Sequence, residues 1–241
     1  MPDWKQFFQT YRIIDIAGDS DLLFQVGATV GGKPISAEQF HSLIESISVP
    51  LDLNEKDGLI DLCCGNGVKT YELSKLVKRV VGIDVSRPYI ENAIRYKHQP
   101  NISYRVHDVM KLKTIIKQDD SKEYNKLLLY DCLAYLTPPD LDNLLAHLSR
   151  VKAIIRILIG NVLDRDRKWK FFNTLNRRLM YFYQHALLGK DPGLGRWWTK
   201  NEVMMLAEKH GFVCVFLEQN PILSTAHYRF DALLTRVDES K

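Results

Sequence analysis

Apolar runs of strand length alternate with segments of helical character through the middle of the chain. The first run is Gly58-Leu59-Ile60-Asp61-Leu62-Cys63, followed by a helical stretch from about Gly67 to Lys78. Arg79 to Val85 is the second, and Ser86 stands where it caps a helix reaching about His98, with Pro88 in the first turn. Asn101 to His107 reads as a third strand and Asn125 to Asp131 as a fourth. Thr137-Pro138-Pro139-Asp140 then opens a helix to about Arg150, and Ala153 to Gly160 is a fifth strand. Strands separated by crossover helices build a parallel sheet covered on both faces.

Beyond Gly160 the pattern changes. Trp169, Phe172, Leu175, Leu179, Phe182 and Leu187 recur near helical spacing, which predicts one long amphipathic helix from Leu163 to Leu188. Thr199-x-x-Glu202 is a capping box for a helix to about His210. Two strand-like runs close the chain, Phe212 to Leu217 and Tyr228 to Val237. Their short connection is too brief for a crossover and predicts an antiparallel last strand. Ahead of the core, Asp3 to Ile16 has helical character, and Ser36-x-x-Gln39 opens a helix over Phe40 to Ser48.

Composition narrows this picture modestly. With 46% hydrophobic and 26% charged residues in 241, the chain has a core to bury and is neither a disordered tail nor a membrane bundle. A formal net charge of +4 is too small for wholesale coating of nucleic acid or of a polybasic membrane surface. No apolar run approaches the ~20 residues of a spanning helix, and Met1 to Phe8 lacks the layout of a signal peptide, so a soluble cytoplasmic chain is expected. Cys63, Cys64, Cys132 and Cys214 form no CxxC pair and have no histidine at ligand spacing. They read as buried thiols rather than as a zinc site or a disulfide framework.

Candidate chemistry concentrates at Asp61-Leu62-Cys63-Cys64-Gly65-Asn66-Gly67, where an apolar strand runs through an acid into a small-residue loop that opens a helix. Such a loop lets backbone approach a ligand closely and aims helix N-terminal amides at it. Asp84 ends the next strand roughly 20 residues on, the spacing at which a carboxylate accepts ribose hydroxyls. A dinucleotide fingerprint would need glycine where Cys63 and Val68 stand, which argues against NAD.

The loop resembles motif I of the class I S-adenosylmethionine (SAM)-dependent methyltransferases, D-x-G-x-G-x-G, with Asp61, Gly65 and Gly67 matching and Cys63 in place of the first glycine. Val81 to Ser86 is similar to motif II, His107-Asp108-Val109-Met110 to motif III, and Tyr130-Asp131-Cys132-Leu133 to motif IV, all in order along the chain. The resemblance implies a Rossmann-like α/β fold: a seven-stranded, mostly parallel sheet in the order 3-2-1-4-5-7-6, last strand antiparallel, helices on both faces. It implies SAM as cofactor, held by Asp61, Cys63, Cys64, Gly65, Asn66, Gly67, Asp84, Val85, Asp108, Val109, Tyr130 and Asp131, with Tyr11 closing the cofactor side by positional analogy. Asp61 would hold the cofactor's amino group, Asp84 the ribose and Asp108 the adenine amino group; Asp131 is either a cofactor contact or a structural acceptor.

An antiparallel last strand begins at the edge where ligands bind, which places His227 and Tyr228 near the reacting methyl, with His227 the candidate base. Asn161, Trp169 and Trp197 are candidates for the acceptor pocket. Residues 1–241 read as a single methyltransferase domain: 1–50 an N-terminal helical cap, 51–160 the SAM-binding core, 161–198 a helical lid insertion, 199–241 a C-terminal helix and hairpin. The basic residues Arg165, Arg167, Lys168, Lys170, Arg177 and Arg178 read as a solvated helix face rather than a phosphate track. The expected function is methyl transfer from SAM to an oxygen or nitrogen of a small molecule, with a texture resembling bacterial enzymes of specialised-metabolite or sugar pathways. An RNA or protein methyltransferase and a non-catalytic SAM-binding protein are the alternatives. No metal site is signalled, and the oligomeric state is unspecified.

Overall fold

The computed structural model describes residues 3–114, 123–184 and 194–236. Its centre is a seven-stranded sheet. β3 (Gly58–Leu62), β4 (Arg79–Asp84), β5 (Ile102–Val106), β6 (Lys126–Tyr130) and β7 (Arg156–Leu163) are parallel, and β9 (Arg229–Arg236) runs antiparallel between β7 and β8 (Phe212–Leu217). The order β5-β4-β3-β6-β7-β9-β8 is the 3-2-1-4-5-7-6 arrangement.

β3 and β6 are buried along their whole length, which explains why they read as continuous rather than alternating apolar runs. Successive side chains feed opposite layers. Ile60, Leu62, Leu127 and Leu129 pack with α6 (Pro138–Leu148) and α9 (Lys200–Lys209) on one face. Leu59, Leu128 and Tyr130 pack with α3 (Ala37–Leu51), with Leu73 of α4 (Val68–Ser74) and with Val77 beyond it on the other.

The capping residues act as their sequence predicts. Ser36, Thr137 and Thr199 each accept an amide three residues on and complete reciprocal capping boxes, and Ser86 accepts the Tyr89 amide at the start of α5 (Arg87–Tyr96). The N-terminal part also holds α1 (Trp4–Thr10), α2 (Asp19–Gln25) and a two-residue hairpin, β1 (Thr29–Val30) with β2 (Lys33–Pro34).

Two elements differ from the sequence reading. The fifth strand of the sheet, β7, starts at Arg156 and continues through Asn161 to Leu163, because an irregularity between Ile159 and Val162 lets it keep pairing with β9. The expected long helix from Leu163 to Leu188 is broken: α7 (Lys168–Phe171) and α8 (Leu175–Phe182) are separate, with Thr174 capping the second. Phe172 turns inward to a buried aromatic cluster there, so packing of that one ring overrides the helical period. Residues 185–193, including the expected helix end, lie outside the described residues.

Candidate functional site

A cavity of about 670 Å³ opens over the carboxyl ends of β3 to β7, the edge where open parallel sheets bind ligands. On one side the chain leaves β3 through Cys63, Gly65 and Gly67, all with left-handed backbone (φ +59°, +60° and +75°). The Asp84 carboxylate fastens this loop: it accepts the Gly65 amide at 2.8 Å and the Ser86 amide at 2.8 Å. Burial raises the pKa of Asp84, while those two amides work in the opposite direction. At the end of β5, Asp108 accepts the Lys5 ammonium at 2.5 Å and the Met110 amide at 3.0 Å. Partial burial works to raise its pKa, but the Lys5 hydrogen bond and the Met110 amide leave it lowered overall.

Helix α1 lies across this end. Gln9 Nε2 donates to the Val85 carbonyl at 2.9 Å, Ser86 Oγ to the Phe8 carbonyl at 2.6 Å, and Tyr89 Oη to the Tyr11 carbonyl at 3.0 Å. Its Trp4 and Phe8 rings meet Tyr135 at 4.8 and 5.0 Å.

The opposite end is polar. Asp131 and Asn161 both take left-handed backbone where β6 ends and β7 is irregular. The Asn161 amide donates to Asp131 Oδ1, Arg229 Nη1 donates to Asp131 Oδ1 at 3.2 Å and to the Asn161 carbonyl at 2.7 Å, and Lys69 Nζ stands 3.4 Å from Asp131 Oδ2. Behind them Asp231 accepts the Asn161 backbone amide at 2.6 Å and Gln219 at 2.9 Å, and burial pushes its pKa up to about 6.

Of the residues singled out from sequence, Tyr11, Cys63, Cys64, Gly65, Asp84, Val85, Asp108, Val109, Tyr130, Asp131, Asn161 and Tyr228 line the cavity. Asp61, Asn66 and Gly67 do not, although the resemblance implies cofactor contact. Asp61 is buried beneath the loop with its carboxylate accepting Thr70 Oγ1 at 2.6 Å, and Asn66 Nδ2 ties the loop to Leu22 O and Gln25 Oε1. Gly67 is the left-handed N-cap of α4, where a Cβ would stand 2.5 Å from Tyr104 Oη.

His227 lies outside the cavity: it sits exposed in the turn before β9 with its ring against Tyr228, while the next two residues, Tyr228 and Arg229, line the cavity. Trp169 and Trp197 form part of the aromatic cluster behind the wall rather than the wall itself. Lys69, Arg229 and Trp4 escaped the sequence reading. Only Lys69 carried a usable signal, in the first turn after the glycine loop.

The cysteines need a correction as well. Cys63 and Cys132 are joined by a disulfide with Cα atoms 6.1 Å apart, whereas Cys64 and Cys214 are free. A separation of 69 residues hid the pair, and only the parallel pairing of β3 with β6 brings it together. Among the described residues no group of three or more His, Cys, Asp or Glu side chains converges as a metal site requires, and no helix is long and apolar enough to cross a membrane.

Residues 59–153 match the family described as methyltransferase domain. The match runs from β3 through α6, the stretch that carries the glycine loop, Asp84, Asp108 and Asp131. Solved structures share the chain's fold. The magnesium protoporphyrin IX methyltransferase of Synechocystis PCC 6803 with bound SAH is 13% identical, covering 97% of this chain and 98% of that one at a TM-score of 0.63. A SAM-dependent methyltransferase of Methanosarcina mazei is 18% identical, with coverages of 77% and 94% and a TM-score of 0.57. The geranyl diphosphate C-methyltransferase of Streptomyces coelicolor A3(2) is 12% identical, with coverages of 82% and 79% and a TM-score of 0.57. No curated protein matches in sequence.

Within the matched stretch Asp61 has a pKa raised to about 6, chiefly by burial, with the Thr70 hydrogen bond acting against the shift. A carboxyl whose native pKa exceeds its unfolded value of 3.8 contributes stability that is complete below about pH 4 and is lost as pH rises through 6. Asp61→Asn keeps an acceptor for Thr70 and cannot ionise. Urea unfolding from pH 4 to 7 should therefore show the variant gaining on the wild type by about 2–3 kcal/mol. Parallel pH profiles would show instead that Asp61 titrates in the native protein where it does in the unfolded chain.

Proposed function

We propose that the chain transfers the methyl group of SAM to an oxygen or nitrogen of a small molecule. The observation that carries this reading is a single cavity joining the glycine loop, Asp84 and Asp108 at one end to a polar acceptor-sized end at Asp131, Asn161, Tyr228 and Arg229. The donor set suits the cofactor. Each Asp84 oxygen keeps a lone pair beyond the amide it already accepts, as a ribose diol requires, and Val85, Val109 and Met110 give apolar surface beside Asp108 for an adenine ring. Lys69 and Asp131 form an opposite-charge pair suited to an amino-acid terminus. On this reading residues 1–50 cap the cofactor, 51–160 hold it, 161–198 wall the acceptor end and 199–241 complete the sheet and supply Tyr228 and Arg229.

When bound, SAM supplies an electrophilic methyl on a sulfonium. The protein's work is then alignment and exclusion of water: Asn161, Tyr228 and Arg229 orient the acceptor, and the rings of Trp4, Phe7, Phe8 and Tyr135 close the cofactor end. The basic residues after β7 favour a small acceptor over RNA, since Arg165 pairs with Glu202 at 3.0 Å and Arg167 with Glu218 at 2.7 Å, leaving less charge for phosphates.

Purified protein supplied with methyl-labelled SAM and three separate pools, small metabolites, total RNA and protein, tests the proposal. Label is expected in the metabolite pool. Label confined to RNA or protein would overturn the acceptor class, and no label despite bound SAM across metabolite extracts would favour a binding protein.

A further inference from the structure

β3 and β6 are paired parallel neighbours, Leu62 standing opposite Leu129, so the residues that follow their ends share one edge. Cys63 immediately follows β3 and Cys132 lies two residues past β6, beside Asp131. Their Cα separation of 6.1 Å falls within the usual disulfide range, and both line the cavity. Cys63 also occupies a left-handed position that a glycine would take at no steric cost, so the site carries a sulfur where backbone geometry favours none. The other two cysteines are poorly placed for this chemistry. Cys64 is buried with its thiol pKa pushed well up by burial, and burial pushes Cys214 on β8 up to about 11.

We infer that Cys63 and Cys132 are a reversible thiol–disulfide site that ties the glycine loop to the Asp131 turn and thereby sets the affinity for the cofactor. The inference rests on the reading of this cavity as the SAM site. A low-molecular-weight disulfide such as glutathione disulfide is the oxidant. One cysteine thiolate attacks it and releases one glutathione thiol, and the second cysteine displaces the other glutathione from the mixed disulfide. Two protein thiols thus become one S–S bond, and one glutathione disulfide takes up the two electrons and two protons as two thiols. Excess thiol runs the exchange backwards.

The direction of the effect follows from the cavity. Its present walls are those of the tied state, with the loop and the turn held at one spacing. Untied, the contact across this gap passes to the noncovalent Lys69–Asp131 pair, and a binding site that must be ordered on ligand entry binds less tightly. The tied form should bind SAM at least about fivefold more tightly than the reduced form.

Non-reducing peptide mapping and calorimetric titration with SAM, each on protein equilibrated with glutathione disulfide or with dithiothreitol, test both halves. A Cys63–Cys132 linked peptide that dithiothreitol removes is expected, together with the tighter binding of the oxidised form. The double variant Cys63→Gly, Cys132→Ala should show one affinity, insensitive to oxidant, because neither cysteine of the pair remains to form a mixed disulfide. Absence of the linked peptide, equal affinities in the two forms, or tighter binding by the reduced form would overturn the inference. SAM bound by neither form would overturn the cofactor reading and the affinity claim with it, while the peptide map separately decides whether the disulfide exists.

Discussion

Asp84→Ala is expected to weaken SAM binding by about 100-fold, close to 3 kcal/mol. The carboxylate does two jobs at once. It receives the Gly65 and Ser86 amides, which hold the glycine loop against the end of β4, and it presents its remaining lone pairs to the cavity. Charge-assisted hydrogen bonds to a buried carboxylate are worth roughly 1.5–3 kcal/mol each, so losing two to a bound ligand accounts for the whole expected effect. Asp84→Asn separates the two jobs, because its single carbonyl oxygen replaces one of two acceptors and its amino group opposes the other amide. Calorimetric titration of both variants should rank wild type above Asn and Asn above Ala. Unchanged affinity in the alanine variant would remove Asp84 from the site.

Asp131→Ala should be damaging in a different way. Lys69 and Arg229 approach the same carboxylate from opposite sides, with side chains only 10% and 16% exposed. Removing it leaves two partly buried cations facing each other, and Asn161 loses the acceptor for its side-chain amide. Because Asp131 itself is 37% exposed, water screens part of the cost, and about 2 kcal/mol of stability is expected to disappear rather than the larger penalty of a fully buried pair. Methyl transfer should fall further than stability does, by about 100-fold in kcat/KM, since the same network positions groups from three strand ends. Asp131→Asn should recover the contact with Asn161 and much of the stability but not the charge balance. Near-wild-type kcat/KM in the alanine variant would show that this end of the cavity is not where the reaction occurs.

Much of the candidate site was legible because it is local. The loop from Asp61 to Gly67 and the acid at Asp84 are set by residues adjacent in sequence, and strand ends in a parallel sheet share an edge by construction. The capping residues Ser36, Ser86, Thr137 and Thr199 were readable for the same reason: each satisfies an amide three residues away. His227 was misplaced because β9 begins only at Arg229: His227 belongs to the turn before it, whose path is not legible from strand periodicity. Asp61 was assigned to the ligand because motif position does not distinguish a carboxylate above a loop from one beneath it. Thr70, one turn into α4, decides that.

The sequence by itself therefore determined the alternation of strands and helices, the glycine loop, the second acid and the antiparallel close of the chain, all of which follow from periodicity and short-range hydrogen bonding. Tertiary structure alone decided which side chains face the cavity. Lys69, Asp131, Asn161 and Arg229 come from α4, β6, β7 and β9, Trp4 arrives from the far N-terminus, and Cys63 meets Cys132 across 69 residues. Contacts of that kind depend on strand order and register, which arise from burying the whole core at once and leave no mark at any single position in the chain.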